Sequence, residues 1–310
     1  MRKLLTVIFF SLTVFSTYGQ QSPRVSNLLF NRLALNPAVA GIEDFTSVKA
    51  SYRSQWVGLE GAPSTSQLAL AGPLNLSQMG WGLMLTNDQI TAFTDNSLVG
   101  FFSYHFRLGN DKSLSFGIGG GVKQSGFQLE KINQRDQGDI VIPNSNSKIW
   151  LPDSRFGFYY KTLTGNFGLS IDNLYKGAIN FSGVSRPIEG EQVRHLRASY
   201  GKLFYLRDDL SFSPNLLVRI NEKFNYQVDF TTIFTYKNIF DYGFTYRHQE
   251  SVVFLLNYAV SNQLSLGYSF DFTTSQLYYH NNVSHEITLS YRLYPNKRIM
   301  LNPRYFFNNY

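Results

Sequence analysis

Histidine is the side chain best suited to moving a proton or holding a metal near neutral pH, and the chain carries five: His105, His195, His248, His280 and His285. Only His280 and His285 lie close together, five apart, and no ligand spacing emerges, so no metal is expected. Ser284, His285 and Glu286 are the three residue types of a hydrolytic triad. Neighbours on an extended chain point to opposite faces, so they cannot converge, and a hydrolase would need a trio drawn from separate strands. Gly117, Gly119, Gly120 and Gly121 look like a phosphate loop, yet they sit inside an alternating apolar pattern with no helix after it; small residues in a crowded interior explain them better. The chain has no cysteine, which removes disulfides, thiolate zinc sites, a cysteine nucleophile and a lipidated-cysteine anchor. The expectation is a protein that is not an enzyme and holds no catalytic residue, cofactor or metal.

What remains informative is the pattern that would position any side chain. Of 310 residues 27 are Phe and 20 are Tyr, only 16% are charged, and yet mean hydropathy is −0.18. Such a chain must spread its apolar residues in fine alternation rather than in blocks. Leu114, Phe116, Ile118 and Val122 alternate with Ser113, Ser115, Gly117 and Lys123; Phe240, Tyr242, Phe244 and Tyr246 alternate with Asp241, Gly243, Thr245 and Arg247. Leu264, Leu266, Tyr268 and Phe270, and then Ile287, Leu289, Tyr291 and Leu293, repeat the split. Segments of about ten residues are what a tilted strand needs to cross a bilayer.

The pattern predicts fourteen strands, near 46–57, 64–72, 79–87, 96–108, 112–123, 154–161, 165–172, 193–206, 209–221, 225–236, 239–248, 251–260, 262–271 and 284–294. The first, second and eighth are the least regular, leaving twelve or sixteen as alternatives. The long connections, 124–153, 173–192 and 272–283, are the fifth, seventh and thirteenth, whereas Gly109–Asp111, Arg207-Asp208, Lys237-Asn238 and Ser261 mark the fourth, eighth, tenth and twelfth. Long odd and short even connections are the habit of outer-membrane barrels, so the fold expected is all-β, a transmembrane antiparallel β-barrel spanning 46–294. A secreted β-sandwich would need every aromatic face to meet in one interior and has no reason to obey that parity.

Residues 1–19 read as a secretory signal, with Arg2 and Lys3 before an apolar stretch from Leu4 to Phe15 and cleavage after Gly19. Its apolar stretch is too short to span a membrane. The net charge of +7 is too small and too scattered to suggest nucleic acid. Residues 20–45 lack strand pattern but carry Leu28, Leu29, Phe30, Leu33 and Leu35, and are long enough to enter the lumen from below as a plug. Lys49, Arg53, Arg107, Lys123, Arg155, Lys161, Asp172, Arg219, Asp229, Asp241, Arg247, Asp271, Glu286 and Arg292 fall on the inward parity, lining either a wet pore or a charge network closed on that plug. Both termini, and a tail over 295–310 with Lys297, Arg298, Arg304 and several aromatics, are expected in the periplasm.

Two clusters resemble the PorP/SprF family of outer-membrane proteins of the type IX secretion system of Bacteroidota. Tyr52, Arg53, Gln55, Trp56, Gly58, Gly61, Ala62, Pro63 and Thr65 are similar to its YRxQWxGxxGAPxT signature, preceded by Asn36, Pro37, Ala38 and Gly41, similar to NPAxAG. Ser284, His285, Glu286 and Ile287 onward are similar to a GSHEIxLSY ending, followed by Pro303, Arg304, Tyr305 and Phe306. Val283 and Thr91 stand where the family pattern has Gly, and at Thr91 the second outward loop is expected to differ in shape. The physics of the corner agrees with a rigid turn, since Pro63 fixes one dihedral and Gly58 and Gly61 permit a tight path. These residues either brace the barrel rim or touch a partner, and His285 and Glu286 are expected to hydrogen-bond to the first strand as the barrel closes.

The resemblance implies a non-enzymatic part in protein export, gliding or adhesin display. Its implied partners are outer-membrane lipid, the type IX translocon, periplasmic ring lipoproteins with a peptidoglycan-binding subunit, and a secreted cargo held through its C-terminal sorting domain. Asn36-Pro37-Ala38 also resembles the hatch motif of long-chain fatty-acid channels, so a FadL-like transporter of small hydrophobic molecules is the alternative; an inward face this charged does not favour it.

Overall fold

The structure is a computed structural model and describes residues 25–27, 30–74, 78–109, 111–128, 147–181, 188–274 and 283–294. The expected signal peptide at 1–19, the tail at 295–310 and the residues Pro303, Arg304, Tyr305 and Phe306 lie outside the described residues.

Among the described residues, seventeen strand segments follow two short 3₁₀ turns at Arg32–Ala34 and Pro37–Val39. They are β1 (Thr46–Ser54), β2 (Ser64–Pro73), β3 (Met79–Ile90), β4 (Phe93–Arg107), β5 (Ser113–Phe127), β6 (Ser147–Lys161), β7 (Gly165–Asp172), β8 (Ala178–Phe181) and β9 (Ile188–Glu191). After these come β10 (His195–Lys202), β11 (Phe204–Arg207), β12 (Leu210–Asn221), β13 (Tyr226–Tyr236), β14 (Phe240–Arg247), β15 (Ser251–Ala259), β16 (Leu264–Thr273) and β17 (Val283–Leu293). β10 and β11 are one strand interrupted at Leu203, both pairing with β12. β8 and β9 form a separate hairpin. The rest close into a 14-stranded antiparallel barrel, because β10 bridges β7 to β12 and β1 pairs with β17.

Antiparallel neighbours put every odd-numbered connection of the barrel at one end, here the loop mouth, and every even-numbered one at the other, the turn mouth. The even turns are tight for local reasons. Lys237 and Asn238 both take left-handed backbone, with φ of 52° and 56°, the twist that suits a hairpin between right-twisted strands. The Ser261 hydroxyl accepts from the backbone N–H of Gln263 and Leu264 at 3.2 and 3.0 Å.

The two faces separate as alternation requires. Ile118, Phe254, Leu256, Ile287 and Leu289 are exposed on the outside, while Ser103, Ser115, Asp241, Ser269 and Glu286 are buried on the inside. No helix among the described residues is long and apolar enough to cross a membrane; the crossing is made by strands. Outward aromatic rings meet across strands, as Phe116 does with Phe158 at 5.6 Å and Phe240 with Tyr258 at 4.8 Å. Such cross-strand ring pairs each add about 0.5–1.5 kcal/mol beyond area burial.

Strand ends differ from the sequence reading where membrane and ladder part company. β3 runs on to Ile90, β4 begins at Phe93, β5 continues to Phe127 and β6 begins at Ser147, so the long fifth connection shrinks to 128–146. At the expected strand ends and just beyond them outward Asn87, Asn96 and Gln124 replace the apolar residues, with Asn87 Nδ2 donating to Asn96 Oδ1 at 2.6 Å. The apolar signal ends with the bilayer, but backbone pairing does not. Inward Ala92 and Phe127 pack with Ile149 and with Ile179 of β8, folding the β8–β9 hairpin against this raised wall. β1 instead stops early, at Ser54, because Trp56 turns into left-handed backbone with φ 50°.

Candidate functional site

The lumen is occupied by residues 30–45, and the wall is cut to receive them. Asn36 caps the second 3₁₀ turn by accepting from the Ala38 N–H at 2.9 Å, while its Nδ2 donates to the carbonyls of Phe158 and Leu169 at 2.8 and 3.1 Å. One side chain thus ties the turn to β6 and β7. Pro37 pre-sets the first helical dihedral, and Ala38 is fully buried. Opposite this turn the wall has no room for side chains: a Cβ on Gly157 would lie 2.0 Å from Asn36 Oδ1, and one on Gly117 2.4 Å from Ala38 N. Gly41, with φ 63°, brings the chain against Gly72 and Gly80.

The remaining backbone of the segment is met by inward side chains. Ser170 donates to the Leu35 carbonyl at 2.6 Å, and Lys49 Nζ to that of Phe30 at 2.7 Å. His105 sits with Nε2 2.9 Å from the Ala40 carbonyl and Nδ1 2.7 Å from Ser115 Oγ. An Nε2–H donating to Ala40 leaves Nδ1 to accept from Ser115, so this buried ring is a brace for the segment.

Above the segment a collar of opposite charges circles the loop-mouth side of the lumen. Arg53 reaches Asp271 at 2.7 Å and Glu286 at 3.7 Å. Arg247 lies 3.5 Å from both Asp271 and Asp229, and Asp229 is 2.5 Å from Arg219. Arg197 pairs with Asp172, and Arg155 makes two 2.8 Å bonds to Asp153 while lying 5.7 Å over the Phe101 ring. Five arginines thus face six carboxylates, Glu286 included and Glu250 pairing with Arg247 at 3.3 Å, which is how charges survive burial. Ser26 is the segment's hold on this collar: its N–H donates to Glu286 and its hydroxyl to Asp271, both at 2.6 Å, and Arg53 donates to that hydroxyl at 2.6 Å.

The corner after β1 is pinned on both sides. Gln55 N–H donates to the Pro63 carbonyl at 2.9 Å, and Ala62 N–H to that of Leu59 at 3.2 Å. Trp56 N–H donates to Ser284 Oγ at 3.1 Å and Val57 N–H to the Val283 carbonyl at 3.0 Å, stitching the corner to β17. Gly58 and Gly61 have φ of 99° and 73°. Thr91 holds the second loop in left-handed backbone, φ 52°, and both its N–H and hydroxyl donate to the Gly61 carbonyl at 3.0 Å. The loop therefore keeps a glycine-like turn, with a hydroxyl added.

Among the motif residues, Arg53 and Glu286 come together, Trp56 joins them through Ser284, and Asn36, Pro37, Ala38 and Gly41 form the separate lower contact. Tyr52 points outward and is exposed. His285 also faces outward, 2.6 Å from the Tyr268 hydroxyl through Nδ1, so it does not reach the first strand by its side chain as expected; alternation sends Glu286 there instead. Arg107 is likewise exposed rather than lining the lumen. Sequence reasoning missed Ser26, Asp153 and Arg197, though the last two share the inward parity of their strands. Outside the barrel wall, Lys176 bonds Glu191 and Glu222 at 3.1 and 3.3 Å, and these two carboxylates hold its ammonium above its usual value.

Fold and lumen together define an outer-membrane β-barrel whose interior is filled by its own amino-terminal segment. The sequence matches the family described as type IX secretion system membrane protein PorP/SprF over residues 17–291, and the chain belongs to that family. It is thus a type IX secretion component of the outer membrane. No curated protein matches it. Among solved structures it is similar to the CymD monoaromatic hydrocarbon channel, with a TM-score of 0.51 at 12% identity over 84% of this chain and 92% of that one. A FadL homologue of Pseudomonas aeruginosa gives 0.49 at 13% over 89% and 95%, and the toluene transporter TodX of Pseudomonas putida 0.48 at 11% over 88% and 94%. At 12% identity, the likeness to CymD bears on the fold alone.

Proposed function

We propose that this barrel supports secretion or surface retention of a cargo protein through the cargo's C-terminal sorting domain, without catalysis, as in gliding or adhesin display. The family match across residues 17–291 carries the reading. Long connections gather at the loop mouth, which we orient outward, and connections 128–146 and 173–194 form the cargo-facing surface. The basic, aromatic tail at 295–310 faces the periplasm and docks ring or peptidoglycan-binding components.

In this reading the described part of the amino-terminal segment, from Val25 to Phe45, closes the lumen and braces the barrel rather than gating a solute path. The cavity beside the segment, lined by Arg32, Lys49 and Glu43 among others, holds about 30 Å³, space for a water rather than a fatty acid. That disfavours the FadL-like alternative. Deleting 25–40 should raise ion conductance in planar bilayers; unchanged conductance would speak against closure.

Affinity purification of the tagged protein from native outer membrane, with mass spectrometry of what remains bound, tests the main reading. Recovery of one large secreted protein with a C-terminal sorting domain, or of ring components, supports it. Bound fatty acids without protein partners would sink it.

A further inference from the structure

The described part of the amino-terminal segment has a direction. β17 runs from the loop mouth at Val283 to the turn mouth at Leu293. Ser26 is held at Glu286, Asn27 donates through Nδ2 to Thr288 at 3.1 Å, and the Phe30 carbonyl is met by Lys49, whose partner on β17 is Ser290. Contacts at 286, 288 and 290 step down the wall, two residues at a time. The chain then crosses the lumen at Asn36 to Ala40 and leaves beside Phe45, whose ring lies 5.4 Å from that of Tyr294, directly into β1. It passes through the barrel once, from loop mouth to turn mouth.

We propose that the chain preceding Val25 leaves through the loop mouth, so that the mature amino terminus is displayed on the same face as the odd-numbered connections and opposite the end of β17. This replaces the expectation of a periplasmic amino terminus. A chain approaching from the turn mouth would have to climb past the descending segment. That segment already presses the wall so closely that a single Cβ on Gly80 would come within 2.0 Å of the Ala40 carbonyl oxygen. Upward, the path is short: Glu286 lies three residues below the start of β17, about 10 Å along a strand. That the loop mouth is the cell exterior rests on the proposed function; that the amino terminus shares its side does not.

The absence of cysteine makes the test clean, since any introduced thiol is the sole one. Ser22→Cys, Lys223→Cys in the β12–β13 connection and Asn238→Cys in the β13–β14 turn are each probed on whole cells with a membrane-impermeant maleimide, before and after outer-membrane permeabilisation. Each variant is first checked for the heat-modifiable mobility of a folded barrel. Ser22→Cys should label like Lys223→Cys, equally before and after permeabilisation, while Asn238→Cys labels only after. If Lys223→Cys is protected and Asn238→Cys labelled, the outward orientation fails, and the inference survives only if Ser22→Cys still follows Lys223→Cys. A Ser22→Cys that follows Asn238→Cys, or that stays unlabelled in both conditions, overturns it.

Discussion

Replacing Arg53 by Met should destabilise the barrel far more than its volume change suggests. Its side chain is 4% exposed, and loss of the guanidinium leaves the Glu286 side chain, 0% exposed, with the N–H groups of Ser26 and Asn27 as its remaining partners among the described residues. Asp271 fares better, because Arg247 remains 3.5 Å away. Breaking a buried pair by removing one partner costs about 3–5 kcal/mol, two to three and a half powers of ten in the folding constant. Urea titration in detergent micelles, followed by heat-modifiable mobility and by the fluorescence of the three tryptophans, reads this directly. Most of the penalty is the orphaned carboxylate rather than lost attraction, so Arg53→Met combined with Glu286→Gln should recover more than half of it, since Gln still accepts from Ser26. A single variant within about 1 kcal/mol of the parent, or a double variant whose losses simply add, would refute the account of the collar.

Three further outcomes follow from the same geometry. Leu256→Arg, on the lipid face, should cost about 2–4 kcal/mol in a lipid-vesicle unfolding assay, whereas Ser269→Ala, on the lumen face with no partner for its hydroxyl, should be close to neutral. Gly157→Val should displace Asn36 from the wall, costing about 1–3 kcal/mol and speeding hydrogen exchange across Pro37–Val39. Asn36→Ala removes a helix cap and two bonds to strand carbonyls, a loss of about 1–2 kcal/mol, with the same exchange signature and no change in strand protection on β12–β16.

The barrel was legible in the sequence because alternation is local: each strand reports its own two faces, and the parity of long and short connections reports the closure. Inward Arg53, Asp271 and Glu286 were readable for the same reason. Which inward charge meets which was not, because the partners lie on strands far apart in sequence and their heights depend on the pairing register. Asp153 lies inside β6 but one residue before the stretch that the alternation marked out at 154–161, and Arg197 sits in the eighth expected strand, one of the least regular. Ser26 had no signal, being one small residue in a segment without periodicity. The extensions of β3 to β6 were missed because pairing outlives the membrane, and the only trace was the change to outward Asn87, Asn96 and Gln124.

The seam between β1 and β17 has a bearing on assembly. Arg53 and Glu286 are direct partners across the ladder that joins the first strand to the last, and Ser26 bonds to both of them. A barrel that zips shut without the segment inside would lack the N–H groups of Ser26 and Asn27 on Glu286 and the Ser26 hydroxyl on Asp271. Closure with the thread inside supplies them, so the pairing of first strand with last is most favourable once the interior has been filled. Seam and thread therefore stabilise each other, each being worth more with the other in place.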